Sequence, residues 1–345
     1  MFVIYIYLLF FFSVIIFLFL YQFVFDIEFL KVLPPAIPIL LLVALFTLLE
    51  RKILGGIQRR RGPNVVGAFG ILQPIADALK LIFKETVIPG LSNIGLFILA
   101  PVSIFSFSLL NWSILPLDYG VILSDINLGL LFLFSVSSLG VYSIIISGWS
   151  SNSKYAFLGS LRAAAQFISY EVSIGIILMV VLMHVNTLNL SEIVLFQKNY
   201  WFFYLFFFNF ILFFIAVLAE TNRVPFDLPE AESELVSGYN VEYAATTFVL
   251  FFLAEYSNIL VMSILISVLF FGGWLPFFNF SIFFLIPGWI YLVLKVCFII
   301  FLIILVRATI PRYRYDQLMN IGWKVLLPIS LGFLLFYSVF LFILC

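Results

Sequence analysis

Apolar runs of about 20 residues recur along the whole chain, and each is long enough to cross the hydrocarbon core of a bilayer. With 65% hydrophobic and 10% charged residues over 345 positions, and a mean hydropathy of +1.24, no soluble core needs so much apolar side chain. The chain is therefore expected to be an all-α polytopic membrane protein. Spans are predicted at roughly 2–25, 36–50, 94–115, 125–148, 162–184, 200–219, 243–271, 282–306 and 323–344, nine in all. The first lacks a basic n-region and an A-x-A-like cleavage site, so it reads as a retained helix rather than a signal peptide. Pro34, Pro35 and Pro38 separate it from the next.

Lysine and arginine set the orientation. Arg51, Lys52, Arg59, Arg60, Arg61, Lys80, Lys84, Lys154, Arg162, Arg223, Arg307, Arg312, Arg314 and Lys324 fall on one side, against Lys198 and Lys31 on the other. Loops 51–93, 149–161, 220–241 and 307–322 thus share the negative, cytoplasm-like side. A formal net charge of zero, with no basic tail, excludes nucleic acid as a partner. Cys297 and Cys345 are too few and too far apart for a disulfide framework or a four-cysteine metal site, and His184 completes no metal cluster. Neither GxGxxG nor GxxxxGK[ST] occurs, so neither a dinucleotide nor an ATP site is expected.

Charge concentrates in AETNRVPFDLPEAESELVSGYNVEYA, from Ala219 to Ala244. It holds Glu220, Asp227, Glu230, Glu232, Glu234 and Glu242 against one base, Arg223. Carboxylates this crowded do not ionise independently, which suits proton handling. Pro229 fits the first turn of a short helix that Gly238 would end, with Glu230 and Glu234 on one face. A solvated acidic loop is the plain alternative.

Ionisable groups also enter the spans. On a helix, Arg162, Gln166, Ser169 and Ser173 form one stripe, and Glu171 lies opposite with Ala164, Phe167 and Gly175. A carboxylate there costs several kcal/mol unless paired, protonated or hydrated, so Glu171 is a functional candidate. Glu255 is thirteen residues beyond Glu242, about 20 Å along a continuous helix. Lys295 is the cation deepest in a span and is expected to act as a counter-charge to these acids.

Two basic loops complete the polar set. After the turn RRRGPNVVG, Ile71, Ile75, Leu79 and Ile82 recur at helical spacing, as in an interfacial amphipathic helix. Arg59, Arg60 and Arg61 beside it serve equally well as anchors to anionic headgroups. The loop RATIPRYRYDQLMNIGWK carries Arg307, Arg312 and Arg314, whose forks suit carboxylates of a partner or of the acidic stretch.

Taken together, ERKILG with GPNVVGAFGILQPIADALKLIFKE, SNSKYAFLGSLRAAAQFISYEV, AETNRVPFDLPEAESELVSGYNVEYA with FFLAEY, and PRYRYDQLM with WK resemble subunit 1 of respiratory complex I, the proton-pumping NADH:quinone oxidoreductase. The resemblance covers about residues 32–344 and implies one membrane domain, 32–345, of eight spanning helices. Residues 1–31 are then an added hydrophobic segment. It further implies a membrane subunit that anchors the hydrophilic arm and forms the membrane side of a ubiquinone chamber. Flavin and iron–sulfur clusters would belong to other complex I subunits.

By the same resemblance, Glu171, Glu220, Glu232, Glu234, Glu242 and Glu255 lie on a path toward antiporter-like subunits. Arg51, Asp227, Arg307, Arg312 and Arg314 border the chamber. Two departures stand out: Ala231 replaces the family's usual Gly, and Leu305 its usual Trp. The family match and 45 phenylalanines, as in an A/T-rich genome, imply a mitochondrial inner membrane, with a bacterial plasma membrane as the alternative. Related subunits of membrane-bound hydrogenases and ferredoxin–plastoquinone reductases share the ERK and acidic elements. A stand-alone secondary transporter would instead show matched halves with discontinuous helices, a pattern this chain lacks.

Overall fold

The computed structural model describes residues 33–227, 238–277 and 286–344. The predicted segment 2–25 and the acids Glu230, Glu232 and Glu234 lie outside them. Among the described residues the chain is helical throughout, with a single isolated β-bridge between Asp118 and Val121. In chain order the helices are α1 (Leu33–Ile57), α2 (Gln73–Ile82), α3 (Ile94–Trp112), α4 (Gly129–Ser150), α5 (Lys154–Val185) and α6 (Leu190–Phe196). Then come α7 (Phe202–Leu205), α8 (Phe207–Glu220), α9 (Thr246–Phe270), α10 (Gly288–Thr309), α11 (Tyr315–Asn320) and α12 (Leu327–Leu344). A π-turn, Ile321–Leu326, runs between the last two. Six stretches among the described residues are long and apolar enough to cross a membrane: α3, α4, α5, α9, α10 and the run Tyr315–Leu341.

The differences from the hydropathy reading have local causes. The α1 helix continues past its apolar stretch to Ile57, so Glu50, Arg51 and Lys52 are helical rather than in a loop. Ser153 caps α5 by accepting from the Ala156 N–H at 3.3 Å, which starts that helix at Lys154, well before the apolar run. Its 32 residues stand about 48 Å tall, against about 30 Å of hydrocarbon. Asn186, at φ 61°, ends it.

The predicted span 200–219 is broken at Phe206 (φ −117°, ψ 40°). The carbonyl of Leu205 freed by the break accepts from the Tyr337 hydroxyl at 2.9 Å, which keeps that polar group satisfied away from water. The run between Glu242 and Glu255 is not continuous helix either. Ala245 adopts φ 57° just before α9 begins.

α5 is the central post. Its buried Tyr170, Ile174, Ile177 and Val181 meet α8 and α12, and α4 lies along its other flank. Apolar contact alone does not favour helix association within lipid, so small residues matter where backbones approach. A Cβ at Gly148 would meet Ser160 Oγ at 2.1 Å, and one at Gly159 would meet Gly238 Cα at 2.8 Å. Gly159 therefore lets the three-residue turn Gly238–Asn240 lie against α5. The amphipathic helix α2 lies as expected at the periphery, with Ile75, Leu79 and Ile82 facing outward. Gly159→Val should destabilise the subunit by about 1–3 kcal/mol, through overpacking against backbone that cannot move freely. Gly140→Val, at a position open for 4 Å around, should be neutral. Thermal denaturation of the two purified variants, compared for assembled subunit content, checks the contrast.

Candidate functional site

The acidic stretch is pinned to α5 before it becomes acidic. Gln166, fully buried, donates from Nε2 to the carbonyls of Ala219 at 2.7 Å and Phe226 at 2.9 Å. One side-chain amide thus bridges the end of α8 and the turn that follows. Phe226 packs on Tyr170 and stacks on Tyr313, with centroids 5.9 and 5.7 Å apart. The Tyr313 N–H donates to the Pro225 carbonyl at 3.0 Å, the Tyr170 hydroxyl donates to the Leu318 carbonyl at 3.1 Å, and Arg312 Nη2 pairs with Asp227 Oδ2 at 3.1 Å. The last basic loop therefore clasps residues 225–227 against α5, and of its three arginines Arg312 takes the second of the two expected kinds of partner, a carboxylate of the acidic stretch.

A second cluster forms where α1, α9, α10 and the turn after α8 converge. Glu50 is buried, and its Oε1 accepts from Arg223 Nη1 at 3.3 Å and from Arg307 Nη1. Its Oε2 accepts from the Tyr256 hydroxyl at 2.7 Å. Arg223 Nε lies 3.6 Å from Glu255, and its guanidinium stands 4.3 Å from the centroid of the Tyr256 ring. Burial works against the charged form of Arg223, but Glu50 above all, with Tyr256 and Glu255, outweighs it and holds the guanidinium well above its ordinary range. A buried cation is thus shared between two carboxylates that come from different helices.

Beside this cluster lies a cavity of about 370 Å³ between α1, α2 and α9. Val43, Thr47, Phe248, Phe252 and Leu253 line it, and Arg51 and Asp77 form an ion pair at 2.7 Å in its wall. Its volume falls in the range of pockets that enclose small organic ligands, about 300–1,000 Å³. Phe252 packs on Tyr256 at 4.7 Å between centroids, so one aromatic contact separates the cavity from the Glu50 network.

The family model described as NADH dehydrogenase matches residues 30–338. The chain belongs to the NADH dehydrogenase family. It is 59% identical over 302 residues to NADH-ubiquinone oxidoreductase chain 1 of Arabidopsis thaliana, covering 88% of this chain and 93% of that protein. The protein of that name from Chondrus crispus is 56% identical over 309 residues, covering 90% and 95%. A bacterial relative, an NADH-quinone oxidoreductase subunit of Paramagnetospirillum magneticum, is 57% identical over 305 residues, covering 88% and 89%.

Within this NADH dehydrogenase family chain the predicted site residues divide into groups. Glu255 and Arg307 join the Glu50 network, and Asp227 and Arg312 form the clasp. Glu220 is buried at the end of α8, within electrostatic reach of Glu171, which lies beside Ser138 on α4. Glu242 is half-buried in the turn ahead of α9. Tyr243 beside it stacks on Phe97 with ring centroids 4.1 Å apart. Arg314 is exposed at the head of α11, and Glu232 and Glu234 lie outside the described residues.

Arg51 lies in the cavity wall, turned outward to Asp77 and away from its neighbour Glu50, because successive helical residues point about 100° apart. One expectation needs correction. Lys295 is no counter-charge to the acids. It donates to the carbonyls of Gly273 at 2.9 Å and Leu275 at 2.6 Å, and stands 4.7 Å from the Trp201 ring at the opposite end of the bundle.

Glu50 and Tyr256 were not singled out from sequence, and Arg223 was noted only as the one base of the acidic stretch, with no role assigned. Their signal was present in a carboxylate directly before two bases and in one base amid many acids. Glu50→Ala should cost about 3–5 kcal/mol, since it strands a buried cation. Glu50→Gln combined with Arg223→Gln should lose less than the sum of the single variants, by about 1 kcal/mol or more, when read from thermal denaturation of the complex.

Proposed function

We propose that this chain is the core membrane subunit of a proton-pumping NADH:quinone oxidoreductase, in which it forms the membrane side of a ubiquinone chamber and links quinone reduction to proton movement. Family membership supplies the enzyme. The observation that carries the finer reading is the apolar cavity whose inner wall is, through Phe252 and Tyr256, the Glu50–Arg223–Arg307 network. A lipid-soluble quinone enters from the bilayer along the α1, α2 and α9 walls, past the Arg51–Asp77 pair. Electrons reach it from flavin and iron–sulfur clusters of partner subunits in the hydrophilic arm, docked on the face of the basic loops.

The proton side uses the chain's own carboxylates. When the quinone takes up electrons and protons beside Tyr256, the local charge changes. Glu255 and Glu50 feel that change through the one guanidinium they share, Arg223. Glu220, Glu171 and Glu242, with Glu232 and Glu234 of the acidic stretch, carry the response toward antiporter-like membrane subunits. Arg314, together with the Arg312–Asp227 clasp, holds the chamber rim and meets the arm. Relatives from both plants and bacteria support an energy-conserving membrane, and the mitochondrial inner membrane is the reading we favour.

Narrowing the cavity tests the quinone route separately from assembly. Ala78→Trp, on the α2 wall, should raise the apparent KM for a long-tailed ubiquinone about tenfold or more, equivalent to about 1.4 kcal/mol of lost binding. Oxidation of NADH by a water-soluble acceptor should be unchanged. An unaltered quinone KM in an assembled variant would move the access route elsewhere.

A further inference from the structure

At the end of the bundle away from the basic loops, a slot of about 230 Å³ opens between α5, the α7–α8 break and α12. Its walls are Val180, Leu205, Phe206, Phe336 and Phe340, with His184 at one end. Phe336 is 64% exposed and Phe340 48%, so the mouth faces the surroundings of the bundle on its spanning flank. The rings of Phe196, Phe202 and Phe206 stand edge to face with the imidazole at 5.5–5.7 Å. His184 Nε2 is buried and has no hydrogen-bond partner among the described residues. The hydroxyl of Tyr337 in the same wall is already committed to the Leu205 carbonyl.

A buried, unpaired imidazole nitrogen costs about 1–3 kcal/mol, so a polar atom arriving at Nε2 is favoured. Apart from the Tyr337 oxygen, the rest of the slot is lined by hydrocarbon side chains. The slot is smaller than the pockets typical of organic ligands, about 300–1,000 Å³, and its apolar, open mouth suits a segment of one chain lying along it. Depth decides the head group. His184 is the residue before the last of α5, at the level where a membrane-crossing helix leaves the hydrocarbon and the ester linkages of glycerolipids begin.

We propose that the slot holds one acyl chain of a membrane glycerolipid, whose ester carbonyl accepts a hydrogen bond from His184 Nε2. The lipid fills the gap left where the chain breaks at Phe206 and cements α12 to α5. This site is separate from the cavity beside Arg51 and does not rest on the quinone reading.

The test uses the assembled complex in vesicles with a phosphatidylcholine carrying a photoreactive acyl chain, in diester and in diether form. The diester should label peptides spanning Phe336 to Phe340, and His184→Leu should reduce that labelling about two- to tenfold, the weight of one hydrogen bond. The diether form, which lacks the carbonyl, should label weakly in both. Val180→Trp, which fills the slot, should abolish labelling by either form while NADH oxidation persists. Equal labelling by diester and diether in the unmodified complex would overturn the His184 anchor. No diester labelling of the Phe336–Phe340 peptides above that of other bilayer-facing peptides would overturn the site itself.

Discussion

The carboxylate of Glu50 is the interaction on which the polar end of the bundle depends. Two arginines and a tyrosine from three other parts of the chain point their donors at it. Each of those groups would be costly to bury alone, and together they neutralise one another. Because the partners sit on α9, α10 and the turn after α8, the pairing also fixes where four chain segments end relative to one another. Apolar packing offers nothing comparable, since lipid tails compete equally for apolar faces. Geometry at this end is set by charge, whereas the middle of the bundle is set by shape.

The second fastening uses neutral hydrogen bonds. Gln166 and Tyr170, one helical turn apart on α5, hold the chain at Ala219, Phe226 and Leu318. Between them they bring the first residues of the acidic stretch and the last basic loop onto a single post. Glu171, beside Tyr170 in sequence, points to the other flank, toward Ser138. α5 therefore presents a structural face to the clasp and an ionisable one to α4.

Much of this was legible from the chain. The apolar runs placed α3, α4, α9 and α10 within a few residues, the basic loops predicted which ends share a side, and the Ile75–Leu79–Ile82 spacing placed α2 at the periphery. The stripe Arg162–Gln166–Ser169–Ser173 indicated that α5 has polar neighbours, and the three polar residues after Arg162 are indeed buried. Other features depend on tertiary partners that spacing does not encode. Glu50 and Arg51 look alike in sequence, and only the continuation of α1 past its apolar stretch separates one inward from the other outward. Lys295 resembled a counter-charge until the turn at Gly273 and Leu275 supplied carbonyls for it. The break at Phe206 leaves no hydropathy signal, because the residues on both sides are apolar.

The central claim is that Arg223 links the quinone-facing carboxylate Glu50 to the proton-side carboxylate Glu255. The measurement that tests it most directly is NADH:ubiquinone turnover with simultaneous proton translocation in reconstituted vesicles carrying Glu255→Gln, after subunit content is matched to the unmodified complex. The account predicts that both activities fall together, by about tenfold, while NADH oxidation by a water-soluble acceptor is retained. Full turnover with full pumping in the assembled variant would contradict the link and leave the Glu50 network as a fastening only.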